Sequence, residues 1–249
     1  IEYKKIEFIS YPYEWSFDQL KDAALLTLNI LKISLEYGMV LKDASAYNIQ
    51  FLNNKPIFID TLSFEKYDVN KPWVAYSQFC KHFLAPILIM KYKDASLISL
   101  LKNYIDGIPL NLTSKILPLR SYFKIVSLLH IHLHAKSEKK YSNLLNTKKV
   151  DLNKFSKNSF LGLIDNLHSS IKKIMFNKKS FWSNYVFENS YSEIEKNNKK
   201  ITLLKFLKIA NSKICWDLGS NTGNYSRLAS QVCEHVYGFD FDYESINEF

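Results

Sequence analysis

The stretch "CWDLGSNTGNYSRLA", which begins at Cys215, constrains this chain more than any other. "ICWDL" reads as a strand, the glycine-bearing segment after it as a turn, and "NYSRLA" as the opening of a helix. Asp217, Gly219 and Gly223 make the pattern D-x-G-x-x-x-G. Gly219 permits a sharp turn with positive φ, and the missing side chains at Gly219 and Gly223 let a ligand come close to the backbone. The helix that follows turns its first amides toward the same place. A second strand, "HVYGFDFD", then brings Asp240 to its tip. In doubly wound folds an acid at that position accepts hydrogen bonds from ribose hydroxyls. Asp242 is the neighbouring alternative and is expected to point away. The glycine spacing is not the dinucleotide G-x-G-x-x-G. A Rossmann-like turn that holds another nucleotide, or nothing, is the competing reading.

The chain of 249 residues has room for one large domain or two ordinary ones. Its longest apolar run, "FLAPILIM", is too short to span a bilayer and is flanked by Lys81, His82 and Lys91, and no signal peptide opens the sequence. Cys80, Cys215 and Cys233 have neither metal-ligand spacing nor a disulfide framework, which fits a reducing cytoplasm. The net charge of +9 raises nucleic acid as a partner. Against it, only Arg120 and Arg227 are arginines, and the lysines are scattered through stretches such as "KNNKK". Readers of grooves and phosphates lean on the guanidinium fork. A solvated basic surface is the favoured reading.

Local signals place the elements. Residues Ile6 to Ser10 are apolar enough for a short strand. Ser16 and Gln19 form a capping box for a helix that carries Leu20, Ala24, Leu28, Leu31 and Leu35 on one face and stops at Gly38. "NIQFL" and "PIFID", joined by Asn53 and Asn54, read as a β-hairpin. From Val74 to about Ala135 the pattern is mostly helical, with interruptions expected at Pro86, Pro109 and Pro118. A polar stretch with one amphipathic segment, about Phe160 to Met175, reads as a connector. Ser192 and Glu195 open another capped helix, which ends near Asn211. "HIHLHA" sets His130, His132 and His134 at alternate positions. On a strand they would share a face suited to a metal. The surrounding length and basic end favour a helix, in which packing rather than metal binding is expected. The aromatic trio Tyr11, Tyr13 and Trp15 reads as packing, with base stacking the alternative.

"LKDASAYN" holds Asp43 and Asn48 as D-x-x-x-x-N, and the hairpin after it delivers Asp60 in "FIDTLSF". This order resembles the catalytic machinery of protein and small-molecule kinases. There one carboxylate serves the attacking hydroxyl, and an Asn and an Asp hold magnesium on the phosphates. In that resemblance "IEFIS" and "YPYEW" stand where the last small-lobe strand and the hinge lie. The departures are Leu41 and Lys42 before Asp43, and Leu62 where kinases place glycine after the metal-binding Asp. The Gly-rich loop and the phosphate-anchoring lysine would lie ahead of Ile1, so the sequence is expected to be cut at this end as well. A structural lobe braced by Asp43 and Asn48 is the alternative to an active kinase.

The glycine turn and Asp240 together resemble motifs I and II of class I S-adenosylmethionine-dependent methyltransferases. "YPYEWSFDQLKDAALLTL", "LKDASAYNIQF", "PIFIDTLSFE", "PWVAYSQFCKHFLAP", "IDGIPL", "HIHLHA" and "WDLGSNTGNYSRLA" extend the likeness along most of the chain. They resemble a bacterial group of these enzymes with a long N-terminal region, related to nodulation-type methyltransferases. The resemblance implies S-adenosylmethionine as cofactor. It lays Asp217, Gly219, Ser220, Asn221 and Gly223 against the methionine portion and gives the ribose to Asp240. The implied fold is α/β and α+β: a mostly helical kinase-like large lobe over 1–135, a helical connector over 136–190, and the first β-α-β unit of a Rossmann-like methyltransferase domain over 191–249. A sheet of about seven strands is usual for that fold, so the sequence is expected to be a fragment. The implied activity is methyl transfer to a small-molecule or biopolymer acceptor that the sequence does not identify, by a cytoplasmic protein with no membrane partner. Two rival functions are a small-molecule phosphotransferase using Asp43, Asn48 and Asp60, and a noncatalytic interaction module.

Overall fold

In a computed structural model, which describes residues 5–69, 71–138, 156–182 and 192–249, the chain divides into two compact units, Ile1–Phe176 and Asn177–Phe249. The first unit is organised by helix α1 (Phe17–Glu36). The Ser16 hydroxyl accepts the Gln19 N–H and the Gln19 side chain accepts the Ser16 N–H, so two orphan amides are satisfied reciprocally. Leu20, Ala24, Leu28, Leu31 and Leu35 are fully buried along one face. The helix ends at Gly38, whose φ of +71° only glycine adopts without strain.

Strand β1 (Met39–Leu41) follows and pairs antiparallel with β4 (Phe64–Lys66). Between them β2 (Ile49–Leu52) and β3 (Lys55–Phe58) form the expected hairpin. Its two turn residues, Asn53 and Asn54, have φ of 51° and 59°, the conformation of a type I′ turn. The short strand expected over Ile6–Ser10 does not form. No ladder reaches this segment, and both backbone groups of Ser10 are taken by the Gln50 side chain.

The helical part of this unit is less regular than its sequence pattern. Tyr76–Phe79 runs through a π-helical turn, Cys80–Leu84, into Ala85–Tyr92 without a break at Pro86. In the π register the amide of residue 86 would bond the Lys81 carbonyl. Proline has no such donor, and Ile108 N–H occupies that carbonyl at 3.0 Å instead. Pro109 and Pro118 do separate elements, each capping the helix after it, Leu110–Ile116 and Leu119–Phe123. A second π-helical turn, Leu128–Leu133, carries His130 and His132, and His134 follows it directly.

The amphipathic segment expected in a connector is instead core. Its helix, Lys157–Lys172, buries Phe160, Ile164, Leu167 and Ile171 and packs on α1. Lys32 meets Asp165 at 2.7 Å, Lys157 caps the Leu35 carbonyl, and Phe176 stacks on Phe17. The first unit therefore reaches Phe176 rather than about residue 135.

The second unit contains the helix Glu193–Ala210, closed by the Ser192–Glu195 capping box and by Asn211 in the left-handed region. Strand β5 (Ile214–Leu218) then leads through the glycine turn to a short helix, Asn224–Ala229, and back to β6 (His235–Phe239). The two strands are parallel, with Asp217 opposite Gly238. A last helix, Tyr243–Glu248, follows. Ile214, Trp216 and Leu218 alternate onto one sheet face, where Trp216 is 61% and Leu218 74% exposed. Cys215 and Asp217 face the Asn224–Ala229 helix and the turn after it.

Candidate functional site

The turn between β5 and the next helix is held by a small set of bonds. Gly219 (φ +82°) and Ser220 both donate their N–H to the Phe239 carbonyl, at 2.8 and 3.0 Å, which locks the turn to the end of β6. Asn221, also left-handed at φ 51°, donates its N–H to Asp240 Oδ2 at 2.7 Å. The other carboxylate oxygen, Oδ1, accepts Asp242 N–H at 2.9 Å. A carboxylate has about four acceptor positions, so Asp240 keeps capacity for a ligand while it braces the turn. Thr222 N–H closes on Asn221 Oδ1 at 2.7 Å.

The remaining members of the motif have structural work. Asp217 Oδ2 accepts the Ser226 hydroxyl at 2.5 Å and ties β5 to the helix. Gly223 (φ +79°) lies against Phe249: a Cβ there would meet the ring at 2.2 Å. Gly238, which the motif reading overlooked, is crowded the same way, with Phe249 at 2.7 Å and Ser220 Oγ at 3.0 Å from a built Cβ. The signal was present as the one glycine in "HVYGFDFD". Asp242 is buried and caps the last helix, accepting from Ser245 N–H at 3.1 Å and from the Ser180 hydroxyl at 2.5 Å.

One feature is open to a ligand. A Cβ built on Gly219 meets nothing within 4 Å, and that bare backbone fits a polar group seated on the turn beside Asp240. The Ser220 hydroxyl is buried beside Gly238 and has no hydrogen-bond partner, a state that costs about 1–3 kcal/mol unless something pairs with it.

The second constellation lies in the first unit. Asp43 Oδ1 accepts Ser45 N–H and Gln78 Nε2–H, both at 2.9 Å, while Gln78 Oε1 accepts Ala44 N–H at 2.8 Å. Asn48 is buried and donates to Ser63 Oγ at 3.0 Å; Ser63 in turn donates to Asp60 Oδ2 at 2.7 Å. Asp60 Oδ1 accepts Leu62 N–H at 2.8 Å. The bonds from Ser63 and Leu62 hold the Asp60 carboxyl below its ordinary range. Asn48 and Asp60 are thus joined through a serine, and Asp43 is held separately by Gln78. At the end of the expected small-lobe strand, Ser10 N–H and C=O are occupied by Gln50 Oε1 and Nε2 at 3.1 and 2.9 Å. Trp15 is buried with its Nε1–H on Ser10 Oγ, and Tyr11 stacks on Tyr13.

The three histidines are held by different sets of neighbours, with Tyr76 shared between His130 and His134. His130 lies between the Tyr76 hydroxyl at 2.6 Å and Asn166 Oδ1 at 3.0 Å. His132 lies between Ser114 and Ser121, with Tyr122 stacked on its ring. His134 stacks on Tyr76 and approaches Glu138. Burial lowers the pKa of all three. Among the described residues no group of three or more His, Cys, Asp or Glu side chains could hold a metal ion, and no helix is long and apolar enough to cross a membrane.

The chain is similar to Nodulation protein NoeA of Rhizobium meliloti (strain 1021), with 34% identity over 97% of its length. It spans about half of that protein, 52%. No protein-family model matches the chain. No solved structure matches it.

Proposed function

We propose that residues 191–249 form the first β-α-β unit of a class I S-adenosylmethionine-dependent methyltransferase domain, and that the protein carrying them methylates a small-molecule or biopolymer acceptor. The observation that carries this reading is the closure of the glycine turn by Asp240: its carboxylate holds the Asn221 amide and sits at the carboxyl end of two parallel strands. Ligands of open α/β sheets bind at that end. Gly219, Ser220 and Asn221 would receive the methionine portion along their backbone, where Gly219 leaves the approach open. Asp240 would accept the ribose hydroxyls, and Asp217 and Gly223 would keep the turn in shape. The cofactor would supply a methyl group activated on a sulfonium. The chain's own residues bind and orient it, and such positioning is itself a large share of catalysis.

The kinase-like lobe is read as a noncatalytic interaction module rather than a phosphotransferase. Leu41 and Lys42 precede Asp43, Leu62 stands where kinases place glycine, and Asn48 is joined to Asp60 only through Ser63. Placement of the protein in the bacterial cytoplasm belongs to the same proposal. Calorimetry of the intact natural polypeptide with S-adenosylhomocysteine tests the cofactor. Micromolar binding is expected; no binding at millimolar ligand rules the methyltransferase reading out.

A further inference from the structure

The glycine turn is covered by a segment that its motif does not include. Residues 177–182 pass beside it, and contacts with described residues fasten them there. The Ser180 hydroxyl donates to Asp242 Oδ2 at 2.5 Å, Asn221 Nδ2 donates to the Trp182 carbonyl at 2.7 Å, and the Trp182 ring stands edge-on to Phe241 at 6.2 Å. Phe181 contacts Trp182 edge-on at 5.5 Å. Three large aromatic side chains therefore gather at the tip of β6 while Phe241 is 76%, Phe181 70% and Trp182 43% exposed. Asn221, the residue that Asp240 grips, is also the residue that grips Trp182.

This juxtaposition has a chemical reading. A ribose whose hydroxyls bond Asp240 carries its base one glycosidic bond away, within reach of side chains that flank the Asp240 carboxylate. Phe241 is the next residue in the chain, and Trp182 is its ring neighbour. Aromatic faces bind flat bases by stacking, about ten- to a hundredfold in affinity for each base. We propose that Trp182 is a cofactor-binding residue: with Phe241 it walls the site and stacks on the adenine of S-adenosylmethionine. The inference rests on the cofactor reading above and adds to it a residue from outside the β-α-β unit. It gives Asn221 a second duty, coupling the aromatic wall to the turn.

The test uses the intact natural polypeptide and S-adenosylhomocysteine. Trp182→Ala should weaken binding about ten- to a hundredfold at an unchanged thermal midpoint, and Trp182→Phe should stay within about threefold of the unsubstituted protein. Ligand should quench tryptophan fluorescence, and Trp182→Phe should abolish most of that quench. If the unsubstituted protein binds and Trp182→Ala binds equally well, the wall assignment fails while the cofactor reading stands. Equal weakening in both variants with a lowered thermal midpoint makes Trp182 a packing residue and also overturns the assignment. Failure of the unsubstituted protein to bind overturns both.

Discussion

Asp240 accepts the backbone N–H of Asn221 at 2.7 Å, so the acid at the end of β6 is a structural member of the turn that follows β5. Removing it subtracts a ligand contact and releases a left-handed residue together. Asp240→Ala should weaken S-adenosylhomocysteine binding by about 1.5–3 kcal/mol, the range for a hydrogen bond to a charged group. Exchange of the Asn221 amide should rise at the same time. Unchanged affinity in a folded Asp240→Ala protein would remove the ribose from Asp240.

Gly107 marks a second place where backbone geometry decides the residue. Its φ is +86°, and a Cβ would lie 2.6 Å from Lys81 Cβ and 2.7 Å from the Lys81 carbonyl carbon. That carbonyl serves Ile108 in place of the amide that Pro86 lacks. Gly107→Ala adds left-handed strain of about 1–3 kcal/mol to a collision with backbone that cannot swing aside. A loss of about 3 kcal/mol or more is expected, read as a lower urea midpoint at unchanged slope. A stability within about 0.5 kcal/mol of the parent would mean that this approach relaxes freely.

What the sequence disclosed follows from how far each bond reaches along the chain. The Ser16–Gln19 and Ser192–Glu195 boxes, the Asn53–Asn54 turn and the glycine turn are written in neighbouring residues, and the structure contains each of them. The Gln50 clamp on Ser10 and the Asn221 grip on Trp182 join residues 40 and 39 positions apart. Periodicity carries no trace of such pairings. Residues 157–172 had the right amphipathic pattern, but the pattern does not name a partner, and α1 buries that face. The π-helical turns at Cys80–Leu84 and Leu128–Leu133 share the apolar pattern of an α-helix, so the passage of a helix through Pro86 was not legible.

His82 couples the first unit to pH. It is buried, its Nδ1 has no partner, and the Tyr47 ring stands edge-on to it. Burial pushes its pKa down to about 4; Asp43 and Asp106 oppose that and Lys81 reinforces it. The unfolded chain, with an ordinary value of 6.5, binds the proton first. Stability is therefore full above pH 6.5 and falls on acidification toward 4. The loss reaches about 2 kcal/mol by pH 5 from this residue alone. His130, His132 and His134 shift in the same direction through burial. Urea midpoints between pH 7 and 5 should decline, and His82→Gln should decline less steeply. Parallel profiles for parent and variant would exonerate His82.

The kinase-like constellation should be catalytically silent. Asn48 reaches Asp60 only through Ser63, Leu41 and Lys42 precede Asp43, and Leu62 stands where kinases place glycine. Intact protein should show no magnesium-dependent turnover of ATP. Asp43→Asn keeps an oxygen for Ser45 and Gln78 and should leave methyl transfer near the parent rate. Phosphoryl transfer that vanishes in Asp60→Ala would restore the phosphotransferase.

The two units should differ in local stability within the 249-residue polypeptide. Helix α1 buries a continuous apolar face and is packed by the Lys157–Lys172 helix. By contrast, β5 and β6 make a two-stranded parallel sheet with Trp216 and Leu218 exposed on one face, and the Glu193–Ala210 helix buries no residue. Parallel sheets are ordinarily covered on both faces, and a pair of strands with few buried contacts opens at low cost. Amides of Ile214–Leu218 and His235–Phe239 should exchange at least about a hundredfold faster than those of Leu20–Leu35, a difference of about 2.7 kcal/mol in opening free energy. Hydrogen exchange read by mass spectrometry at two protein concentrations checks this. Equal protection that rises with concentration would show copies of the chain covering the face of Trp216 and Leu218. Equal protection at both concentrations would mean that the sheet is stable as it stands and the expectation is wrong.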